Sequence, residues 1–308
     1  MDLAGEAPRL RPLMFSIAYR MLGSVTDAED VVQSAMLKMH ERMGAGDIER
    51  PDAFASTVTT RLAIDALRAA RRSREVYVGP WLPEPLTADD QDPAHRVERT
   101  DAVSLAALRL MERLGPTERA VFVLRESVGL DFDEIAAIVA KEPAAVRQVL
   151  HRARKRLAAD RARFTIDRAE TERVVEQFLS ALRRGDVRGI LAVLAPDVVF
   201  TADGGGRVPA IQKPIQGAER VARFLMGLLR RVDAGEVIFR LEDVNGFPSV
   251  HYRDRARASL GVLTVVVAGG VIVEMDNLLN PDKLRHLGAV GDQDALLRAG
   301  SDAAVSPE

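Results

Sequence analysis

Three groups of side chains in this sequence have types and spacings suited to chemistry on other molecules. The first is cationic. Between Lys141 and Arg163, eight lysines and arginines stand against two acids, in a chain whose formal net charge is −2. Arg147, Gln148, His151, Arg152, Arg154 and Lys155 share one side of a helical period, and Val146, Val149, Leu150, Ala153 and Leu157 share the other. Arginine offers paired donors that match guanine and glutamine pairs with adenine, whereas cations such as Arg154 and Lys155 hold phosphate without reading sequence. A basic patch concentrated in a near-neutral chain is the footprint of a phosphate-binding surface; the plain alternative is a helical hairpin with a solvated face. The second group is anionic. Asp27, Glu29 and Asp30, with Gln33 close behind, fall where a helix begins and its dipole favours negative charge. The third is titratable: Asp203, His251, Tyr252, Glu274 and Asp276 are the candidate acids and bases of the C-terminal half. Their spacing marks no acid–base pair, and a lone histidine on an amphipathic strand is more often structural.

The elements that position these groups follow from periodicity. Leu130–Ala159 reads as two helices about a tight turn. Asp131 and Glu134 form a capping box, the turn falls at Ala140–Glu142, and the second helix opens on Pro143, whose missing amide would have had no partner. This is a helix-turn-helix with a recognition helix for the major groove. Upstream, Leu10 to Arg74 reads as three helices. The first is ended by Gly23, the second is capped by Thr26 or Asp27, and the third runs from Pro51 or Asp52 to about Arg72 with Phe54, Val58, Leu62, Ile64 or Ala63, and Leu67 inward. The 308 residues suffice for two or three domains, and 47% hydrophobic with 29% charged content is ordinary for folded protein. Without cysteine there is no disulfide, thiolate zinc site or cysteine nucleophile. No signal peptide and no span long enough for a bilayer is read, so a cytoplasmic chain without membrane contact is expected.

The stretches TDAEDVVQSAMLKMHER and PDAFASTVTTRLAIDALRAARRSRE resemble the second conserved domain of sigma-70-type initiation factors. LGPTERAVFVLRESVGLDFDEIAAIVAKEPAAVRQVLHRARKRL resembles the fourth, and no third domain lies between. That order resembles the extracytoplasmic-function group of RNA polymerase sigma factors. The resemblance implies that Asp27, Glu29, Asp30 and Gln33 dock on core RNA polymerase. It implies that Thr57, Thr60, Arg61, Arg68 and Arg71 approach the −10 promoter element, with loop 43–51 holding a flipped base. Arg147, Gln148, His151 and Arg152 would enter the −35 major groove, with Arg154 and Lys155 on phosphate. Glu142 departs from the serine or threonine expected at that helix cap.

Residues 75–100 read as an acidic, proline-broken spacer fit to thread a positively lined channel. Its single tryptophan, Trp81, is expected to pack on a folded surface, that of the C-terminal domain. From about Asp167 the order helix, helix, strand, helix and then antiparallel strands, with Gly269-Gly270 as a hairpin, suggests a curved sheet over helices. It is similar to the SnoaL-like, or NTF2-like, cone. The fold class expected is therefore multidomain: two all-α sigma domains plus an α+β NTF2-like cone. WLPEP (Trp81, Leu82, Pro83), DGGGR (Asp203, Gly204, Gly205, Gly206, Arg207) and NPDKL (Asn280, Pro281, Asp282) together resemble the sigma subgroup carrying this extension, in which it regulates activity by intramolecular contact with the sigma domains. The domain expectations are 1–75 and 101–163 for the sigma domains, 76–100 for the linker, 167–295 for the regulatory domain and 296–308 for a flexible tail. The partners implied are core polymerase and promoter DNA. A small ligand in the C-terminal pocket, a purely protein-contacting role and catalysis stay open as roles for that domain. No catalytic residue, metal or cofactor is assigned. The rival reading is a helix-turn-helix regulator that binds DNA without polymerase.

Overall fold

The structure, a computed structural model, describes residues 3–44, 48–87, 104–161, 167–231 and 236–294. The chain divides into two compact units, Met1–Val76 with Asp90–Ala162, and Tyr77–Asp89 with Arg163–Glu308. The acidic run Asp89, Asp90 and Asp92, most of the tip of loop 43–51 and the tail beyond Asp294 lie outside the described residues.

The described part of the first unit is helical: α1 Leu3–Leu22, α2 Val25–Gly44, α3 Pro51–Arg74, α4 Leu105–Met111, α5 Pro116–Val123, α6 Phe132–Val139 and α7 Pro143–Arg161, with a π turn at Leu124–Val128. α1 begins well before Leu10, passing through Pro8 and Pro12. α2 is capped by neither Thr26 nor Asp27. The Ser24 hydroxyl accepts the Asp27 amide at 3.1 Å, so Asp27 stands inside the first turn. The inward stripe of α3 also differs from expectation. It is Ala55, Ser56, Thr59, Thr60, Ala63, Ile64 and Leu67, while Phe54, Val58 and Leu62 are only partly buried. Small side chains at i, i+3 and i+4 let the helix lie close against α1 and α2, an effect hydrophobicity alone does not reveal.

The second unit is an α+β cone. α8 Arg168–Arg183 and α9 Val187–Ala192 precede β1 Leu194–Asp203 and β2 Ile215–Gln216; then come α10 Ala218–Leu229, β3 Ile238–Val244, β4 Phe247–Arg253, β5 Ser259–Ala268, β6 Val271–Leu278 and α11 Pro281–Leu284. The sheet order is β2-β1-β6-β5-β4-β3. Only β1–β6 is parallel; β3 to β6 form an antiparallel meander closed by the Gly269-Gly270 hairpin (φ 59° and 79°). The parallel pair escapes a reading of local pattern because its strands are separated by most of the domain. α8 is capped by Asp167, which accepts the Glu170 amide at 3.0 Å. It buries Val174, Val175, Phe178, Leu179 and Leu182 in the core shared with α10 and the sheet. Each such side chain is worth about 1.5–3 kcal/mol of transfer.

Candidate nucleic-acid interface and linker clasp

The helix-turn-helix is built as its residues dictate. The Glu134 amide donates to Asp131 at 2.7 Å, and the Asp131 amide donates back to the Glu134 carboxylate at 3.1 Å. Ala140 takes a left-handed conformation, φ 52°, to close α6. Val146, Val149, Leu150, Ala153 and Leu157 are buried, which leaves Arg147, Gln148, His151, Arg152, Arg154 and Lys155 exposed. Two of these make local contacts. Arg147 lies over the Phe132 ring at 5.3 Å, and Arg154 pairs with Glu126 at 2.5 Å. Both contacts are on the surface, where they are weak and yield readily to phosphate.

The second basic helix is arranged differently. Arg61 on α3 donates to the carbonyls of Ile138 at 3.1 Å and Ala137 at 3.0 Å, at the C-terminal end of α6, where orphan carbonyls and the dipole favour a cation. Arg71 donates to the carbonyls of Glu112, at 3.1 Å, and Leu114. Arg68 is exposed beside Asp65. Thr57 bonds back to the Ala53 carbonyl at 2.7 Å. Thr60 is fully buried, so in this arrangement it is a core residue and does not present its hydroxyl to DNA. Behind this face Glu112 joins Arg74 and Arg119. The fully buried Arg119 also donates to the Arg20 carbonyl at 2.9 Å. Burial pushes its guanidinium below the usual value, against the pull of Glu112.

On α2 the acidic set divides. Glu29 pairs with Arg11 at 2.6 Å, while Asp30 and Gln33 are exposed. One turn beyond Gln33 stands Leu37, 61% exposed. Leu37 thus lies exposed on the face of Asp30 and Gln33.

In the second unit WLPEP, DGGGR and NPDKL converge. Asp203, fully buried, accepts from the Tyr77 hydroxyl at 2.6 Å, the Leu82 amide at 2.8 Å, the Gly205 amide at 3.1 Å and Lys283 Nζ at 2.7 Å. Lys283 also donates to the Leu82 carbonyl at 2.6 Å and sits over the Trp81 ring at 4.1 Å. Asn280 caps α11 through the Asp282 amide and donates to Tyr77 at 2.8 Å. Arg207 reaches Asp282 at 2.9 Å. The glycines are needed for closeness. A Cβ on Gly205, φ 58°, would strike Asn280 and Tyr77, and one on Gly206, φ 70°, would press on Val78. Leu82, Glu84, Leu86 and Thr87 are buried, and Leu86 is tied to Asn245 at 2.9 Å. Burial, then the Asp203 bond, drives the Tyr77 hydroxyl far above its usual value. Tyr77 and Lys283 were missed in sequence; the aromatic pair Tyr77/Trp81 and the lysine of NPDKL were the available signals.

Of the five candidate acids and bases, only Tyr252 lines the cavity of about 180 Å³ inside the sheet. Asp203 belongs to the clasp. His251 lies fully buried between Glu242, at 3.0 Å, and Ser259, at 2.8 Å. The order serine–histidine–carboxylate resembles a nucleophile relay. However, Ser259 is 2% exposed and lines neither this cavity nor the groove beside Val78 and Gly79, so the trio ties β3, β4 and β5 together. Burial pushes Glu242 up, but bonds from His251 and Arg253 outweigh it and hold the carboxyl at about 2.

A helical unit with a helix-turn-helix, joined to a SnoaL-like cone, defines a sigma-70-type protein with a C-terminal extension. Family models for sigma-70 region 2, sigma-70 region 4 and a SnoaL-like domain match residues 8–73, 104–157 and 175–274. The ECF RNA polymerase sigma factor SigJ of Mycobacterium tuberculosis is 36% identical over 294 residues, 90% of this chain and 92% of that protein. The protein named "Probable ECF RNA polymerase sigma factor SigI" from the same species is 33% identical over 282 residues, 91% of this chain and 93% of its own. The crystal structure of M. tuberculosis SigJ superposes with a TM-score of 0.74 at 32% identity, covering 92% of this chain and 98% of that one. The chain belongs to the ECF RNA polymerase sigma factors.

Proposed function

We propose that this chain is a promoter-specificity subunit that directs core RNA polymerase to initiate at particular promoters, in the cytoplasm and without catalysis of its own. α7 reads the −35 element through Arg147, Gln148, His151 and Arg152, with Arg154 and Lys155 on phosphate. α3 approaches the −10 element with Arg61, Arg68 and Arg71. α2 docks on polymerase through Asp30, Gln33 and Leu37. The observation that carries the reading is the exposure of the α7 set, on a helix-turn-helix whose first helix is closed by the Asp131/Glu134 capping box, in a chain of this family. Because Arg61 and Arg71 hold carbonyls of residues 104–157, the first unit as described is a closed form, and opening it is a step of promoter engagement.

The sigma domains of this reading span 1–75 and 101–163. The regulatory domain spans 167–295 together with the part of the linker it holds. Regulation then acts through linker residues 77–87. While Asp203 and Lys283 grip them, the linker between the two DNA-reading regions cannot extend. Contact of that domain with the sigma domains, and a small ligand in its cavity, complete the set of partners. Among the described residues no acid–base pair lines the cavity, which favours a regulatory over an enzymatic role.

Run-off transcription with reconstituted core polymerase and a promoter library tests this. The full chain supports specific initiation; Asp30→Lys with Leu37→Glu abolishes co-purification with core and initiation together. If those two substitutions leave both intact while duplex binding persists, the chain is a helix-turn-helix regulator independent of polymerase.

A further inference from the structure

We propose that the cavity within the C-terminal cone binds a compact, uncharged, largely hydrocarbon molecule carrying one carbonyl oxygen. The cavity, about 180 Å³, lies between α8, α10 and the concave face of the sheet, with Phe178, Phe200, Phe224, Phe239 and Leu263 on its walls. It is close in size to the roughly 150 Å³ apolar cavity that takes benzene, so an occupant of about seven heavy atoms fits. Among the described residues no Asp, Glu, Lys, Arg or His lines it. Burial pushes the Tyr252 hydroxyl upward, so the lining is electrically neutral. A carboxylate or ammonium would enter with no counter-charge and is excluded by desolvation.

One end of the cavity is polar. Tyr252 donates to Asn277 Oδ1 at 2.7 Å, which aligns the Asn277 side chain. Asn277 is 8% exposed and lines the cavity, and its Nδ2 has no hydrogen-bond partner among the described residues. That nitrogen is not among the described side-chain atoms that are shut away without a partner, so it stays accessible, as a donor facing the cavity does. A carbonyl oxygen is the complement of that free donor, and the aliphatic and aromatic walls take the remainder of the molecule. Gly261 is part of the same construction, since a Cβ there would collide with the Tyr252 hydroxyl that orients Asn277.

The cavity also adjoins the linker. Pro209, Ala210 and Ile211 form a wall shared with a neighbouring groove whose other side includes Val78 and Gly79. Filling the cavity presses on that wall from within. This coupling, unlike the binding itself, rests on the proposed role of the clasp in regulation.

The test uses the full chain and three ligands of equal carbon number: methyl butyl ketone, hexane and hexanoate. Calorimetry is expected to show the ketone binding, hexane binding roughly tenfold more weakly for want of one hydrogen bond, and hexanoate not binding. Asn277→Leu is expected to bring the ketone down to the level of hexane while leaving hexane unchanged. Equal affinity for ketone and hexane, binding of hexanoate, or no binding of the ketone at millimolar concentration overturns the proposal. Trp81, the only tryptophan, reports the clasp separately. A shift in its emission on ketone binding supports coupling; calorimetric binding with unchanged emission overturns the coupling alone and leaves the site standing.

Discussion

The two basic helices, α3 and α7, have similar compositions and opposite situations. On α7 the cations and glutamine project into solvent, and their contacts are on the surface: Arg154 with Glu126, Arg156 with Glu118, and Arg147 over the Phe132 ring. On α3 two arginines are bound to main-chain carbonyls of the other half of the unit, backed by a buried Arg119 and its partner Glu112. A cation count therefore does not say whether a surface is free to bind phosphate. Main-chain carbonyls at helix ends compete for arginine, and a guanidinium that donates two bonds to them has few donors left.

The largest test of this contrast is Glu112→Ala. It leaves Arg119 fully buried without its carboxylate, and the first unit is expected to lose about 3 kcal/mol or more, read as a lower midpoint in urea unfolding. An unchanged midpoint would show that the α3 side is held no more firmly than the α7 side. Next, Arg152→Ala is expected to weaken binding to a −35 duplex by about 1–3 kcal/mol and to relax specificity at one base pair. Arg61→Ala should leave that duplex affinity nearly unchanged, since Arg61 faces carbonyls; equal losses for both would erase the distinction.

A third test sets the Glu112 cluster against that of Glu242. The folded Glu242 carboxyl, at about 2, lies below its unfolded value of 4.5, so the unfolded state binds more protons in acid. The stability it contributes is complete above the unfolded value and is lost as pH falls towards 2. Glu242→Gln should flatten that acid slope in the second unit, measured by denaturant unfolding at a series of pH values. The smallest effect belongs to Glu126→Ala, which removes an exposed pair with Arg154 and should change stability by less than about 0.5 kcal/mol.

Much of the scaffold that carries the candidate site is legible in the sequence. The capping box Asp131/Glu134, Pro143 opening α7 and the buried stripe of α8 all depend on residues within one or two turns of each other, so local pattern suffices. The same holds for the hairpin at Gly269-Gly270. Thr60 was misplaced because threonine carries no period of its own. Only the packing of α1 and α2 against α3 puts it inside. Leu37 was passed over for the converse reason, that nothing in a helical repeat says which side a neighbouring helix will cover. The acid–base candidates other than Tyr252 missed the cavity because strand alternation assigns a face but not which face curls inward.

By itself the sequence determined the order of the elements, the two matched sigma regions and the three motifs of the extension, since caps, periods and motif residues act over short distances. The tertiary structure alone decided which arginines are bound to main-chain carbonyls, that Tyr77 and Lys283 close on Asp203 from 126 and 80 residues away in the chain, and that Asn277 faces an uncharged hollow. Those outcomes turn on burial and on long-range pairing, where the competition between water, carbonyl and carboxylate for each donor is settled only once distant segments meet.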